Sequence, residues 1–103
     1  MLLQHGPLTL DLLKAEVRVE GKRVELASAE FRFIKYLMMT KRAMSGEELI
    51  SHLWDSDSGA DKSDLQSLVR RVRMSLDPEQ KIEPIRTVKE IGGYGLRDFT
   101  EEA

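Results

Sequence analysis

Three arginines, Arg70, Arg71 and Arg73, stand almost side by side in a stretch that carries few acids. A guanidinium group is planar and always protonated, and its N–H donors form a fork that gives two parallel hydrogen bonds to one partner. Phosphate oxygens fit this fork, and so do O6 and N7 on the edge of a guanine. The cluster therefore indicates a partner that carries phosphates or base edges.

The spacing of the apolar residues around these arginines predicts a helix over residues 62–76. At about 100° per residue, five aliphatic side chains fall within one stripe that we expect to face the core. They are Leu65, Leu68, Val69, Val72 and Leu76. The opposite side carries Ser63, Gln66, Ser67, Arg70 and Met74, and the flanks carry Arg71 and Arg73. Glutamine can pair with adenine, serine can donate to phosphate oxygens, and methionine can contact a thymine methyl group.

Two further amphipathic helices are predicted upstream, over residues 28–40 and 46–54. Their apolar residues recur at steps of three and four. Ser45 and Glu48 have the spacing of a capping box at the start of the second helix. A polar loop over residues 55–61 then leads to the arginine-bearing helix.

Alternating apolar and polar residues predict short antiparallel strands on both sides of the helices. Residues 1–26 hold up to four strands, with turns at Gly6 and Gly21. A hairpin is predicted over residues 85–97, with its turn at 90–93. An N-terminal antiparallel four-stranded sheet, three helices and a C-terminal hairpin wing make an α+β winged helix-turn-helix.

The composition excludes several classes of function. A chain of 103 residues fits one domain, which we assign to residues 1–103. There is no cysteine, and His5 and His52 are far apart, so we expect neither a metal nor a cofactor. No nucleophile beside a base and no phosphate loop is visible, so we expect no enzymatic activity. No apolar run approaches the roughly 20 residues of a membrane span, and no signal peptide is apparent, so we expect a cytoplasmic protein.

The charge is unevenly distributed along the chain. The net charge is -2, which is unusual for a protein that binds nucleic acids. Residues 1–61 carry 8 basic and 10 acidic residues, residues 62–97 carry 8 and 5, and residues 98–103 carry 0 and 3, so the three sums are -2, +3 and -3. The positive excess therefore coincides with the predicted arginine-bearing helix and the hairpin.

The sequence resembles a known family through several stretches whose order and spacing are together specific. These stretches are Gly6-Pro7-Leu8-Thr9-Leu10-Asp11, Val24-Glu25-Leu26 before Glu30-Phe31, Ser45 before Glu47-Glu48-Leu49-Ile50 and Leu53-Trp54, Val69-Arg70-Arg71-Val72-Arg73, and Ile85-Arg86-Thr87-Val88-Lys89. The closing Gly93-Tyr94-Gly95-Leu96 is similar to that family's Gly-Tyr-Arg-Leu. From end to end the chain resembles the effector domain of OmpR/PhoB-type bacterial response regulators.

This resemblance implies a sequence-specific transcription regulator that binds double-stranded DNA. Helix 62–76 would lie in the major groove, where Arg70, Arg71 and Arg73 match the family's Arg-Arg-x-Arg, which contacts phosphates and base edges. The hairpin would lie near the minor groove. Lys89 stands where the family inserts a wing arginine, and Thr87 is expected to add a phosphate contact.

The resemblance also implies partners. The family contacts RNA polymerase through the segment that corresponds to residues 55–61, and its members commonly bind as two copies on direct repeats. A phosphate-accepting receiver domain precedes the effector domain in the family. One departure concerns the first helix, because Ala27 replaces the family's capping threonine and Ser28 is expected to cap the helix instead.

Four alternatives remain open at the level of sequence. Lys89 could be a surface lysine on the edge of the hairpin. The arginines could form a solvated helix face whose charges are partly taken up by Asp64 and Asp77. The acidic loop 55–61 could be a flexible solvated loop. The whole domain could be a winged-helix protein-protein interaction module with weak or no DNA binding, which the acidic total would permit.

Overall fold

Four short strands form the N-terminal part of the computed structural model, which describes residues 1–99. They are β1 (Leu2–His5), β2 (Leu8–Asp11), β3 (Glu16–Val19) and β4 (Lys22–Val24), and each pairs antiparallel with the next. Every second residue of β2 and β3 is buried, so one face of the sheet covers the core. This arrangement confirms the predicted four-stranded antiparallel sheet.

Three helices lie within residues 1–99, and they match the predicted positions. They are α1 (Ser28–Thr40), α2 (Gly46–Leu53) and α3 (Lys62–Leu76). The predicted capping box opens α2, because the Ser45 hydroxyl accepts from the Glu48 amide at 3.1 Å and the Glu48 carboxylate accepts from the Ser45 amide at 3.3 Å. Trp54 follows α2 directly and packs, half-buried, against the core.

The start of α1 differs from the expectation. Ser28 is the first residue of the helix and not its cap, and the capping position is taken by Ala27. Alanine has no side-chain acceptor, so only the returning half of the capping box forms. A carboxylate oxygen of Glu30 accepts a hydrogen bond from the Ala27 amide at 3.1 Å. Glu30 thereby satisfies one of the otherwise unpaired amides at this helix end.

A second sheet holds the wing and contains a strand that the sequence did not indicate. Its members are β5 (Met44–Ser45), β6 (Ile85–Val88) and β7 (Gly93–Leu96), in the order β5-β7-β6. The predicted turn was misplaced, because Lys89 does not extend the strand but opens a single 3-10 turn over Lys89–Ile91. The Gly92 amide closes this turn on the Lys89 carbonyl at 3.1 Å, and Gly92 adopts a positive φ of 60°.

The root of the wing is attached to the start of α2. The Gly46 amide donates to the Gly92 carbonyl at 3.0 Å, while β5 pairs Met44 with Tyr94. A Cβ atom at position 93 would overlap the Met44 carbonyl oxygen, so this close approach requires Gly93. The wing and the helix-turn-helix are therefore joined by backbone contacts.

The core lies between the first sheet, the three helices and the wing sheet. Phe33, Ile34 and Leu37 of α1 are at most 1% exposed, and they pack in one cluster with the buried residues of the other elements. Within residues 1–99, every helix is too short or too polar to cross a bilayer. Over the same residues, no three histidine, cysteine, aspartate or glutamate side chains are grouped closely enough to hold a metal ion.

Candidate nucleic-acid interface

Helix α3 presents two different faces, and both are composed as the sequence predicted. The inner face carries the five predicted aliphatic residues, each at most 3% exposed. The outer face carries the predicted polar residues and one methionine, all of them exposed: Ser63, Gln66, Ser67, Arg70 and Met74. The burial of the inner face fixes the direction in which the outer side chains point.

The N-terminal end of α3 is held by a reciprocal cap. One carboxylate oxygen of Asp61 accepts from the amides of Ser63 and Asp64 at 3.0 and 3.2 Å, and the Asp64 carboxylate accepts from the Asp61 amide at 2.9 Å. Asp64 is therefore engaged at the end of the helix and forms no ion pair with the arginines.

The C-terminal end of α3 is held by Asp77. Its carboxylate is buried and accepts from the backbone amides of Lys81, Ile82 and Glu83 at 2.8 to 3.1 Å. Burial raises the pKa of Asp77, but the hydrogen bonds from these amides outweigh it, so the pKa lies below its usual value. Neither acid that was expected to compete for the arginines pairs with them.

Arg71 and Arg73 are instead anchored by residues outside α3. The Arg71 Nε donates to a carboxylate oxygen of Glu30 on α1 at 3.1 Å. On the other flank, a terminal nitrogen of Arg73 donates to the Ile85 carbonyl at 3.2 Å and to the Thr87 hydroxyl at 3.1 Å. The two flanking arginines thus tie α3 to α1 on one side and to the wing on the other.

Arg70 differs from its two neighbours. Within residues 1–99 it makes no hydrogen bond or ion pair, and its side chain is exposed between the two anchored arginines. Its guanidinium is therefore available to a ligand without breaking an existing contact. Long-range partners such as Glu30 could not be read from helical spacing, and so the sequence did not reveal this difference.

The two candidate residues of the wing lie in different parts of it, one in a strand and one at the tip. Thr87 lies in β6, where the Arg73 guanidinium donates to its hydroxyl, so the structure brings these two predicted residues together. Lys89 lies at the exposed tip, beside the exposed Glu90. Arg73 also lies over the Tyr94 ring, 5.8 Å from its centroid, which further fixes the guanidinium against the wing.

The acidic loop, residues 55–61, joins α2 to α3. Residues 56–58 form a 3-10 turn, and Asp55 and Asp57 are exposed. A shallow cleft beside the loop is lined by the half-buried side chains of Ile50 and Trp54. The loop therefore combines negative charge with an accessible apolar surface.

The chain matches known proteins over most of its length. A family model described as "Transcriptional regulatory protein, C terminal" matches residues 21–96. The two-component response regulator PhoP of Pseudomonas aeruginosa is 34% identical over 100 residues, which cover 96% of this chain and 43% of that protein. The transcriptional regulatory protein TrcR of Mycobacterium tuberculosis is 35% identical, over 92% of this chain and 37% of that protein.

A solved structure supports the same relationship. The Klebsiella pneumoniae RstA DNA-binding domain in complex with the RstA box superposes with a TM-score of 0.75 at 26% identity, covering 92% of this chain and 95% of that one. The chain spans about two fifths of the length of the curated relatives that it matches. On the family model, the relatives and the shared fold, the chain belongs to the transcriptional regulatory protein C-terminal family, the winged-helix effector domain of OmpR/PhoB-type regulators.

Proposed function

We propose that the chain binds double-stranded DNA sequence-specifically as the effector domain of a bacterial transcription regulator. Helix α3 lies in the major groove in this proposal, and the wing, residues 85–97, lies near the minor groove. The observation that carries it is the outer face of α3, where the unpaired Arg70 stands between two anchored arginines. The RstA domain, solved with its own DNA box, supports the assignment.

The charge distribution supports this orientation. Residues 62–97, which hold α3 and the wing, carry 8 basic and 5 acidic residues, a sum of +3. Two of the five acids, Asp64 and Asp77, accept hydrogen bonds from backbone amides and form no ion pair with the arginines. The part of the chain that holds α3 and the wing is therefore more basic than the net charge of -2 suggests, which favours contact with phosphates.

Each candidate residue has a role that suits its chemistry. Arg70 and Gln66 bind base edges, since their side chains match the acceptors of guanine and the donor-acceptor pair of adenine. Ser63 and Ser67 donate to phosphate oxygens. Met74, 54% exposed, contacts a thymine methyl group.

The remaining candidates lie on the flanks of the helix and on the wing. Arg71 and Arg73 contribute from anchored positions beside the groove face. Thr87 and Lys89 approach phosphates and the minor groove from the wing. Lysine is a poorer choice than arginine for a narrow minor groove.

Fluorescence anisotropy with labelled duplex DNA tests the proposal. We expect binding that weakens steeply as salt increases, and we expect Arg70→Ala to lower the affinity by about 1–3 kcal/mol. Arg23→Ala is the matched control, because Arg23 is an exposed arginine on β4 with 64% of its side chain accessible, and it should change little. No binding at low salt, or equal losses in both variants, would favour the protein-interaction module over DNA binding.

The same proposal includes partners beyond the DNA. Residues 55–61 contact RNA polymerase, two copies bind direct repeats, and in a longer regulator a receiver domain is a further partner. The single domain, residues 1–103, acts in the cytoplasm without membrane contact, catalysis or cofactor. Asp55→Asn with Asp57→Asn tests the polymerase contact: recruitment to a bound promoter should fall while DNA affinity is retained.

A further inference from the structure

Glu30 uses its two carboxylate oxygens for separate contacts. One accepts from the Ala27 amide at 3.1 Å at the start of α1, and the other accepts from the Arg71 Nε of α3 at 3.1 Å. Glu30 is only 8% exposed, so neither contact is freely replaced by water. The helix cap holds the carboxylate in place, and the carboxylate in turn holds Arg71.

This contact leaves the outer end of Arg71 available. Only Nε is engaged, and the two terminal nitrogens make no hydrogen bond within residues 1–99. The Arg71 side chain is 59% exposed. At 100° per residue it lies about 80° from the centre of the outer face of α3, on the side of α1. The free end of the guanidinium is the edge that forms two parallel hydrogen bonds to guanine O6 and N7.

Fixing Arg71 has opposite effects on two kinds of DNA binding. An arginine already held in one orientation loses less side-chain entropy when it contacts a base, which favours the matching sequence. A carboxylate close to the DNA repels phosphates wherever the protein binds, which disfavours all sequences alike. The Glu30–Arg71 pair therefore lowers the affinity for DNA of any sequence and increases the difference in affinity between matching and non-matching sequences.

We propose that Glu30 is a positioning residue for base recognition, which aims Arg71 at a guanine edge and raises sequence specificity at the expense of general affinity. The proposal rests on the proposed function, because it requires α3 to lie in the major groove. It concerns a residue of α1 that lies outside the predicted DNA-contacting set.

The test compares affinities for two probes, a duplex recovered by selection from a random library and a duplex of mixed sequence. Glu30→Gln keeps an acceptor for the Ala27 amide but removes the charge. We expect this variant to bind the mixed duplex as tightly as the unmodified chain or more tightly. The ratio of its affinity for the selected duplex to its affinity for the mixed duplex should fall about tenfold. Glu25→Gln is the control, since Glu25 has a side chain that is 89% exposed and should leave the ratio unchanged.

Two further variants distinguish a positioning role of Glu30 from a general loss of folding. Arg71→Lys keeps the charge but cannot offer the guanidinium fork, and it should lower the same ratio by a similar factor. Adding Glu30→Gln to Arg71→Lys should cause no further loss. Additive losses, or an unchanged ratio in Arg71→Lys, would overturn the proposal while the unmodified chain still binds DNA. If the unmodified chain binds neither probe, the proposed function itself fails.

Discussion

Helix α3 and the wing both carry candidate DNA contacts, but they are held in place in different ways. Five buried aliphatic side chains pack α3 against the core, the Asp61 carboxylate caps its N-terminal end, and the Asp77 carboxylate holds the segment that follows its C-terminal end. The wing is held at its root, where β7 lies between β5 and β6, while its tip exposes Lys89, Glu90 and Ile91. The guanidinium groups of Arg71 and Arg73 are thus oriented before binding, whereas the side chains of Arg70 and Lys89 make no hydrogen bond within residues 1–99.

This difference indicates what α3 and the wing each contribute to DNA recognition. The wing supports α3 directly, because the Ile85 carbonyl and the Thr87 hydroxyl both accept from Arg73. Much of the wing's contribution to recognition would then pass through the orientation of Arg73 and less through contacts of its own tip. Three changes test this division, beginning with the largest expected effect.

Truncation of the inner face of α3 should be the most damaging. Leu68 is fully buried, and Leu68→Ala should lower the free energy of unfolding by about 2–5 kcal/mol, because it removes buried apolar contacts and leaves a cavity. Ile91→Ala at the wing tip, where the side chain is 44% exposed, should stay within about 0.5 kcal/mol. Urea denaturation measures both. Similar losses would show that the tip is held as firmly as the helix.

Removing the charge at the C-terminal end of α3 should have an intermediate effect that depends on pH. Asp77→Asn should cost about 1–3 kcal/mol at neutral pH, because three backbone amides lose the charged acceptor that the buried Asp77 provides. The folded pKa of Asp77 lies below its unfolded value, so its stabilising contribution is present above the unfolded pKa and is lost as pH falls through the folded pKa.

The difference between Asp77→Asn and the unmodified chain should therefore shrink in acid. Thermal unfolding followed from neutral to acidic pH measures it. A gap that stays constant over this range would mean that the Asp77 carboxylate is not the charged acceptor that stabilises this end of the helix.

A change at the wing tip should have the smallest effect. Lys89→Ala should lower the dependence of log affinity on log salt by about one unit in slope, as expected for one lost phosphate contact. Lys89→Arg should improve binding to duplexes with a narrow minor groove by less than tenfold, about 1.4 kcal/mol. An effect as large as that of Arg70→Ala would make the wing an equal partner in recognition.

Local patterns in the sequence were sufficient for most of the fold. Helical periodicity located α1 and α3 with the bounds that the structure shows, and alternation located the four N-terminal strands. The strand β5 could not be found in this way, because two residues carry no period. Its pairing with β7 depends on contacts between distant parts of the chain. The position of Lys89 was missed for a related reason, since the 3-10 turn is set by Gly92 and not by strand alternation.

The sequence predicted which residues form the candidate site but not which contacts they make with the rest of the chain. Which side chains of α3 face outward follows from the helical period alone. Which of them are already engaged depends on residues far along the chain, such as Glu30 for Arg71. The nearby acids Asp64 and Asp77 were the natural candidates for ion pairs with the arginines. Their carboxylates instead accept hydrogen bonds from backbone amides before and after the helix. The DNA-contacting roles of these residues remain predictions.

The central place of β7 has a consequence for synthesis of the protein. Because β7 pairs with β5, which immediately precedes α2, the contact closes a loop that contains both α2 and α3. Closing so long a loop costs chain entropy before the contact stabilises anything. On a ribosome, the surroundings of α2 stay incomplete until β7 has left the exit tunnel. A nascent chain that stalls before β7 emerges would already display β6, which holds Arg73, but β5 and β6 would lack the strand that joins them.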